Sequence, residues 1–213
     1  MTRAKISLGK SFQEYIEKEV KLKTYQKVGV GFLIVVLSGF LGWMLEFLVS
    51  PVSRGKFYMV GGNLLPWMNI YAIGALLIIP ITYKFRRYPW LVFVLAAIVF
   101  FIVELTAGWL VYTVGNGTRY WDYNDQPWNV GNIGGFVCFL SATVFALLAL
   151  FFMYVALPFC IFLSRRMSKK TFMTLATTLF VLVMLDELTN LTLKNLDLPT
   201  AMDFYQSLGL KYY

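Results

Sequence analysis

The stretch NGTRYWDYNDQPWNVGNIGG (residues 116–135) is the longest interruption between two apolar runs of the chain. The run before it carries Glu104 and ends near Val114, and the run after it carries Cys138 and Ser141. The stretch itself holds four aromatic rings, two carboxylates and several amides and glycines. A long loop of this composition between two regular elements is typical of a functional site or of a lid over one.

The composition predicts a membrane protein. Hydrophobic residues make up 59% of the 213 residues and charged residues only 14%, whereas a soluble domain has about a quarter of its residues charged. Apolar runs of about 20 residues are long enough to cross a bilayer with about 30 Å of hydrocarbon. We therefore expect an all-α, polytopic transmembrane helical bundle without a separate soluble domain.

Five spans follow from the apolar runs, at about residues 28–52, 64–83, 90–114, 134–163 and 172–193. The fourth run is overlong and contains Pro158, which predicts a kink. The chain is accordingly divided into a basic amphipathic segment, the transmembrane bundle and a short amphipathic tail, at residues 1–27, 28–193 and 194–213.

Residues 7–27 are predicted to form an amphipathic helix that lies on the membrane surface, because apolar residues recur there at helical spacing between lysines. The alternative is a solvated basic leader that only fixes the topology. The tail carries Tyr212 and Tyr213, which are placed as an aromatic anchor for residues 194–213.

The distribution of basic residues predicts the orientation. The N-terminal segment and the links 84–89 and 164–171 hold 14 of the 19 Lys and Arg side chains. By the positive-inside rule the N-terminus is cytoplasmic and, with five spans, the C-terminus is extracytoplasmic. The net charge of +8 then reflects topology and attraction to anionic lipid, so nucleic acid is not expected as a partner. The loop at 116–135 faces outward.

Four carboxylates fall in the outer half of the predicted spans, beneath that loop: Glu46, Glu104, Asp186 and Glu187. Ionisable residues at membrane depth are costly and usually face the bundle interior or a water-filled cavity. An outward-facing polar vestibule is therefore expected, with the basic residues Arg54, Lys56 and Arg119 at the same level as pairing partners.

Two alternatives limit this interpretation. Glu46 lies near a helix end and is able to snorkel to the interface. Asp186 and Glu187 are consecutive, so they point about 100° apart on a helix. They lie in water if the fifth helix ends near Leu185.

The loop offers a second set of ligand-binding candidates. Asp122, between Trp121 and Tyr123, is suited to a cationic group, because aromatic rings add cation–π attraction. A calcium-type cluster of Asp122, Asn124, Asp125 and Asn129 is a weaker alternative, since the glycine and glutamate of a known calcium loop are absent. An aromatic belt with a turn is the structural alternative. The candidate ligand-binding residues are Glu104, Asp122, Arg119, Glu46, Trp121, Tyr123 and Asn129.

Several motifs lie along residues 30–160: Leu45-Glu46, Glu104, Trp121-Asp122-Tyr123, Pro127-Trp128-Asn129 and the stretch from Gly135 to Phe139. Together they resemble the bacterial membrane proteins called putative ABC-transporter permeases of type IV. Before the second span the resemblance is weaker, because only Gly61, Pro66, Ile70 and Tyr71 match the family pattern and its arginine is missing. The chain is thus similar to a divergent member, and the resemblance implies membrane transport.

The absence of histidine and of a nucleotide-binding motif limits the activities that this chain can have on its own. The chain has no histidine and no Walker A pattern, so it cannot hydrolyse ATP in the manner of ABC ATPase subunits. No catalytic residue, metal ligand or cofactor is assigned. We expect a membrane transport or lipid-handling component, with a separate ATPase or another membrane protein as partner. The alternatives are a non-catalytic subunit docking through Gly39/Gly42 or Ala142/Ala146, and a carboxylate-dependent enzyme acting on a lipid headgroup.

Overall fold

The computed structural model of the chain describes residues 8–124, 126 and 128–210, with the side chains of Leu8, Ser11, Ser53 and Arg54 outside that description. The predictions made for Asp125, Pro127, Tyr212 and Tyr213, and for the Arg54 side chain, lie outside the described residues.

Helices form most of the described chain. They are α1 (Leu8–Glu17), α2 (Thr24–Arg54), α3 (Asn69–Tyr83), α4 (Pro89–Val114), α5 (Phe139–Phe151), α6 (Leu157–Arg166), α7 (Lys169–Asn195) and α8 (Ala201–Ser207), with a π-helical turn at Phe152–Ala156. In this part of the chain, four helical segments are long and apolar enough to cross a membrane: Thr24–Val52, Pro89–Val114, Phe139–Arg166 and Lys169–Asn195. With the shorter apolar helix Asn69–Tyr83, they confirm the all-α bundle of about five spans.

The second apolar run becomes helical later than predicted, at Asn69 rather than near residue 64. Gly61 and Gly62 have positive φ angles of 102° and 79°, and Pro66 disfavours a helical conformation for the residue before it. Trp67 turns inward instead, where its indole N–H donates a 3.1 Å hydrogen bond to the carbonyl of Val35. These contacts hold residues 61–68 as a non-helical segment.

The overlong fourth run is interrupted, as its proline predicts. The π-helical turn at Phe152–Ala156 joins α5 to α6 immediately before Pro158. Proline lacks the N–H that would bond to the carbonyl of Tyr154, and its ring crowds that carbonyl. A widened turn at this position relieves the conflict.

The helix α7 continues to Asn195. The alternative in which the fifth helix ends near Leu185 is therefore wrong, and Asp186 and Glu187 both lie on the helix. Asn190 and Lys194 on the next turns extend the polar character of this end of α7.

The N-terminal amphipathic helix is shorter than predicted, since α1 ends at Glu17. The side chain of Tyr15 is fully buried, and α1 contacts α6. Glu14 and Arg165 form a salt bridge of 2.9 Å between these two helices. Part of the apolar face of α1 thus packs on protein.

The chain divides into two compact units. The first contains the described residues of Met1–Leu77 and Ala156–Tyr213, and the second is Ile78–Val155. The domain boundaries at residues 27 and 193 follow composition alone and stay a prediction.

In the first unit α2 packs against α6 and α7. The core cluster consists of Val35, Trp67, Ala72 and Val183. Gly39 is essential to this packing, because a Cβ atom there would meet the indole ring of Trp67.

In the second unit α4 packs along α5. Small residues on both helices, Ala96, Ala146 and Ala149, are almost completely buried and let the two backbones approach closely. Phe100 and Phe145 stack at 4.9 Å between ring centroids at the same interface. The pair α4–α5 carries the loop that joins these two helices.

Candidate functional site

Among the described residues of the second unit, Glu104 is the buried carboxylate. It lies on the inward face of α4, in the same row as Val92, Ala96, Phe100 and Gly108, and is only 8% exposed. This placement follows from the four-residue spacing, which brings these side chains to one face of a helix. The predicted inward orientation of Glu104 is therefore observed.

Two hydroxyl groups bind the carboxylate of Glu104. The Tyr123 hydroxyl donates to Oε1 at 2.9 Å, and the Ser141 hydroxyl donates to Oε2 at 2.7 Å. Tyr123 belongs to the loop and Ser141 to the first turn of α5, so the carboxylate ties the loop to both helices. Ser141 was not among the predicted site residues. The sequence feature that could have identified Ser141 is a hydroxyl group in an apolar run, at the depth of Glu104.

The described residues of the loop 115–138, here called the aromatic loop, are joined to one another by hydrogen bonds to backbone carbonyls. The Trp121 indole N–H donates to the carbonyl of Phe136 at 2.7 Å, and the Tyr123 N–H donates to the carbonyl of Gly135 at 3.0 Å. Ile133 and Val137 form an isolated antiparallel bridge. The first and last thirds of the loop are thus held side by side.

Arg119 and Asp122 form the charged part of the loop. The Nε atom of Arg119 lies 3.5 Å from Oδ2 of Asp122, and its Nη1 atom donates to the carbonyl of Gly134 at 2.8 Å. The guanidinium carbon also lies over the rings of Tyr112 and Phe136, at 4.8 Å and 4.6 Å from their centroids. Cation–π contacts on two rings fix the position of this cation.

Asn129 has a structural contact in the described loop. Its amide N–H donates to the carbonyl of Asn124 at 2.9 Å, and the Oδ1 atom of Asn124 accepts from Asn132 at 2.8 Å. These bonds fold the loop around Asn124. The ligand-binding role predicted for Asn129 stays a prediction.

Burial raises the pKa of the Tyr123 phenol far above its ordinary value, and the neighbouring Glu104 carboxylate raises it further. A phenol with a raised pKa remains protonated at neutral pH. Tyr123 is therefore a hydrogen-bond donor to Glu104 under physiological conditions.

Glu46 lies in the first unit, on α2. Its Oε1 atom accepts a 2.7 Å hydrogen bond from the Tyr71 hydroxyl on α3. A Cβ atom at Gly42 would meet the Tyr71 ring, so the glycine allows the tyrosine to approach. Glu46 thus belongs to a contact between α2 and α3 within the first unit.

Asp186 and Glu187 bind residues 63–69, which comprise most of the non-helical segment and the first residue of α3. Glu187 accepts from the side-chain amides of Asn63 and Asn69, both at 2.7 Å. Asp186 accepts from the backbone N–H groups of Leu64 and Leu65, at 3.2 Å and 2.7 Å. The two carboxylates contact different residues of this stretch, Glu187 the two asparagines and Asp186 the two leucines.

The contacts around Asp186 and Glu187 were not predicted from the sequence. Asn190 donates to Asp186 at 3.0 Å, and the hydroxyl of Tyr205 on α8 donates to the carbonyl of Leu64 at 2.6 Å. Burial raises the pKa of Tyr205, and the charge of Asp186 adds to the effect. The sequence feature that could have identified these contacts is the pair Asn63 and Asn69 at the end of a predicted span.

A model of the family described as putative ABC-transporter type IV matches residues 32–191. The matched segment is well over half of the chain and contains all the candidate ligand-binding residues. Comparison with curated proteins and with solved structures finds no match. On the evidence of this segment, the chain belongs to the putative ABC-transporter type IV family and is a multi-pass, transport-related membrane protein.

Proposed function

We propose that the protein is a transport or lipid-handling component whose outward-facing polar site lies under the aromatic loop, with Glu104 as its anchor. The observation that carries the proposal is the buried Glu104 carboxylate, which accepts from Tyr123 of the loop and from Ser141 of α5. The orientation, with a cytoplasmic N-terminus, an extracytoplasmic C-terminus and the loop outside, is part of the same proposal.

A carboxylate in an apolar span is costly, by about 2.5–3.5 kcal/mol for aspartate at the centre of an inserted helix. An apolar contact would join α4 to α5 without that cost, as Ala96 and Ala146 do elsewhere in this pair. Glu104 instead gives the loop a charged acceptor at its base. Any movement of the loop away from the helices must break the bond from Tyr123 to Glu104, which couples loop position to a single buried charge.

The test compares the full-length wild type with Glu104→Gln, each extracted gently from its own membrane and examined by mass spectrometry for retained lipids and small molecules. Gln keeps the shape and one acceptor oxygen but removes the charge. The exposed carboxylate change Glu19→Gln is the matched control. We expect wild type and the control to retain the same bound species, and the folded Glu104→Gln protein to lose it. Equal retention by Glu104→Gln, or no bound species in the wild type, overturns the proposal.

ATP-driven transport requires a separate ATPase, because the chain has no Walker A pattern. The family described as ABC-transporter type IV favours such a partner, and the same extraction detects it. A stoichiometric ATPase supports ATP-driven transport by a complex, whereas recovery of the chain alone supports an autonomous lipid-handling component.

The small-residue faces that would dock a partner subunit are occupied within the chain. Gly39 and Gly42 face Trp67 and Tyr71, and Ala142 is 5% exposed. A purely scaffolding role through these small residues is therefore less well supported than the loop site.

A further inference from the structure

We infer that the aromatic loop binds a zwitterionic phospholipid, with the phosphate at Arg119, a primary ammonium group at Asp122 and one acyl chain in a groove at the end of α4. The inference rests on the proposed function, since it names the ligand class of the same loop. It is carried by a groove, an adjacent pair of opposite charges and the glycine that holds the polar groups together.

The groove has a volume of about 400 Å³ and is lined by Leu110, Val111, Val114, Gly115, Thr118 and Tyr120. Leu110 and Val114 are 55% and 74% exposed and lie on the last turns of a helix long enough to span the membrane. The groove thus continues the apolar outer surface of the span up to the loop. An acyl chain suits a groove that is open, apolar and continuous with the surface facing lipid.

The charged pair belongs to the same stretch of chain as the last residues that line the groove. Arg119 stands between Thr118 and Tyr120, which both line the groove. Its side chain is 26% exposed and that of Asp122 is 37% exposed, so both charges are accessible from outside the protein. A phospholipid whose acyl chain lies in the groove therefore brings its headgroup to this pair.

The contacts that Arg119 and Asp122 make with the described residues leave hydrogen-bonding capacity on both side chains. The contacts of Arg119 described above use its Nε and Nη1 atoms, whereas a guanidinium group has five N–H donors. Its planar array of donors matches phosphate oxygens. Oδ1 of Asp122 accepts from the N–H of Asn124 at 2.9 Å, and a carboxylate has about four acceptor positions. Asp122 can thus accept from an ammonium group as well.

Opposite charges side by side favour a headgroup that carries both. A purely anionic headgroup is attracted to Arg119 but is repelled by Asp122. Such a like-charge contact lowers the affinity for that headgroup. A headgroup with a phosphate and a primary ammonium group satisfies both side chains.

Gly135 holds this arrangement together. Its φ angle is +80°, and a Cβ atom there would meet side-chain atoms of Asp122, Arg119 and Asn124. Three polar side chains therefore converge on a position that only glycine leaves open. This convergence places the two charges on one compact surface.

The test uses native mass spectrometry of the full-length chain with equimolar phosphatidylethanolamine and phosphatidylglycerol of identical acyl chains. We expect the wild type to retain phosphatidylethanolamine in preference by about fivefold. Asp122→Asn should reduce this preference to near parity, and Arg119→Gln should reduce retention of both lipids. Lys170→Gln, which removes an exposed cation elsewhere, should behave as the wild type.

Leu110→Trp provides a variant that leaves the charge pair intact. It fills the groove and should lower retention of both lipids several-fold without changing their ratio. A wild type that retains the two lipids equally, or an Asp122→Asn protein with unchanged preference, overturns the inference.

The two proposals fail separately. If Glu104→Gln loses its native bound species while the wild type shows no preference for phosphatidylethanolamine, the lipid assignment alone is wrong. If the preference depends on Asp122 but Glu104→Gln keeps its bound species, the assignment stands and the role proposed for Glu104 is wrong.

Discussion

The hydroxyl of Tyr123 lies 2.9 Å from Oε1 of Glu104, so a residue in the middle of a long loop is bonded to a buried residue one span earlier. The bond fixes the height of the loop above the α4–α5 pair. Ser141 completes the contact from α5 at 2.7 Å. The same three residues therefore determine both the packing of the second unit and the position of its charged loop residues.

The contribution of this bond is measurable by a double-mutant cycle with Tyr123→Phe and Glu104→Gln. Hydrogen bonds of this kind contribute about 1 kcal/mol, and slightly less on average within membranes. We expect Tyr123→Phe to lower the free energy of unfolding in lipid nanodiscs by about that amount, with little added effect in the double variant. Tyr120→Phe, on the exposed ring of the same loop, is the control. Fully additive losses would show that the two side chains are not coupled.

The pH dependence of this contact follows from the pKa of Tyr123, which burial raises above its ordinary value of 10.0. The folded pKa exceeds the unfolded one, so the contribution to stability is fully present below the unfolded value and is lost as pH rises through the folded value. Tyrosine-selective ¹³C NMR should show one ring resonance that does not titrate near pH 10 and that is missing from Tyr123→Phe. Titration of that resonance with the exposed tyrosines would contradict the burial of the phenol.

The two glycines Gly39 and Gly31 of α2 should respond in opposite ways to alanine. A Cβ atom at Gly39 meets the Trp67 ring, whereas at Gly31 nothing lies within 4 Å. Gly39→Ala should therefore destabilise the protein by about 1–3 kcal/mol through overpacking, and Gly31→Ala should stabilise it by up to about 1 kcal/mol. Thermal unfolding in one detergent compares them directly, and equal behaviour would refute the packing of Trp67 on α2.

Glu187 should hold the segment before α3 in place. Glu187→Ala removes the acceptor for both Asn63 and Asn69. We expect tryptic cleavage after Lys56, in the same link, to become several-fold faster. The control is Asp197→Asn, at an exposed position whose φ of 53° an asparagine also adopts. Unchanged cleavage in Glu187→Ala would show that other contacts hold the segment.

The orientation can be tested with single added cysteines, since the native Cys138 and Cys160 are buried. A cysteine introduced by Tyr120→Cys, where the side chain is 73% exposed, should react with an impermeant maleimide in intact cells. One introduced by Lys170→Cys should react only after permeabilisation. The reverse pattern would invert the proposed topology.

Much of the fold follows from the sequence alone. The length of the apolar runs predicts the membrane spans, because hydrophobic burial depends on local composition. For α4 the predicted and observed ends agree to within a few residues. Glu104 is conspicuous for the same reason, since a charge in an apolar run is costly wherever the helix packs. The loop is equally visible, because its rings, carboxylates and glycines interrupt two runs.

The tertiary structure decided which groups each carboxylate binds. Basic residues were expected as partners, but the described contacts are with hydroxyl and amide groups: Tyr71 for Glu46, Tyr123 and Ser141 for Glu104, and Asn63 and Asn69 for Glu187. It also decided that α3 begins at Asn69, since Trp67 bonds to Val35 on another helix. Helical periodicity identifies the face on which a side chain lies, whereas its partner depends on how distant segments pack, and no local pattern records that choice.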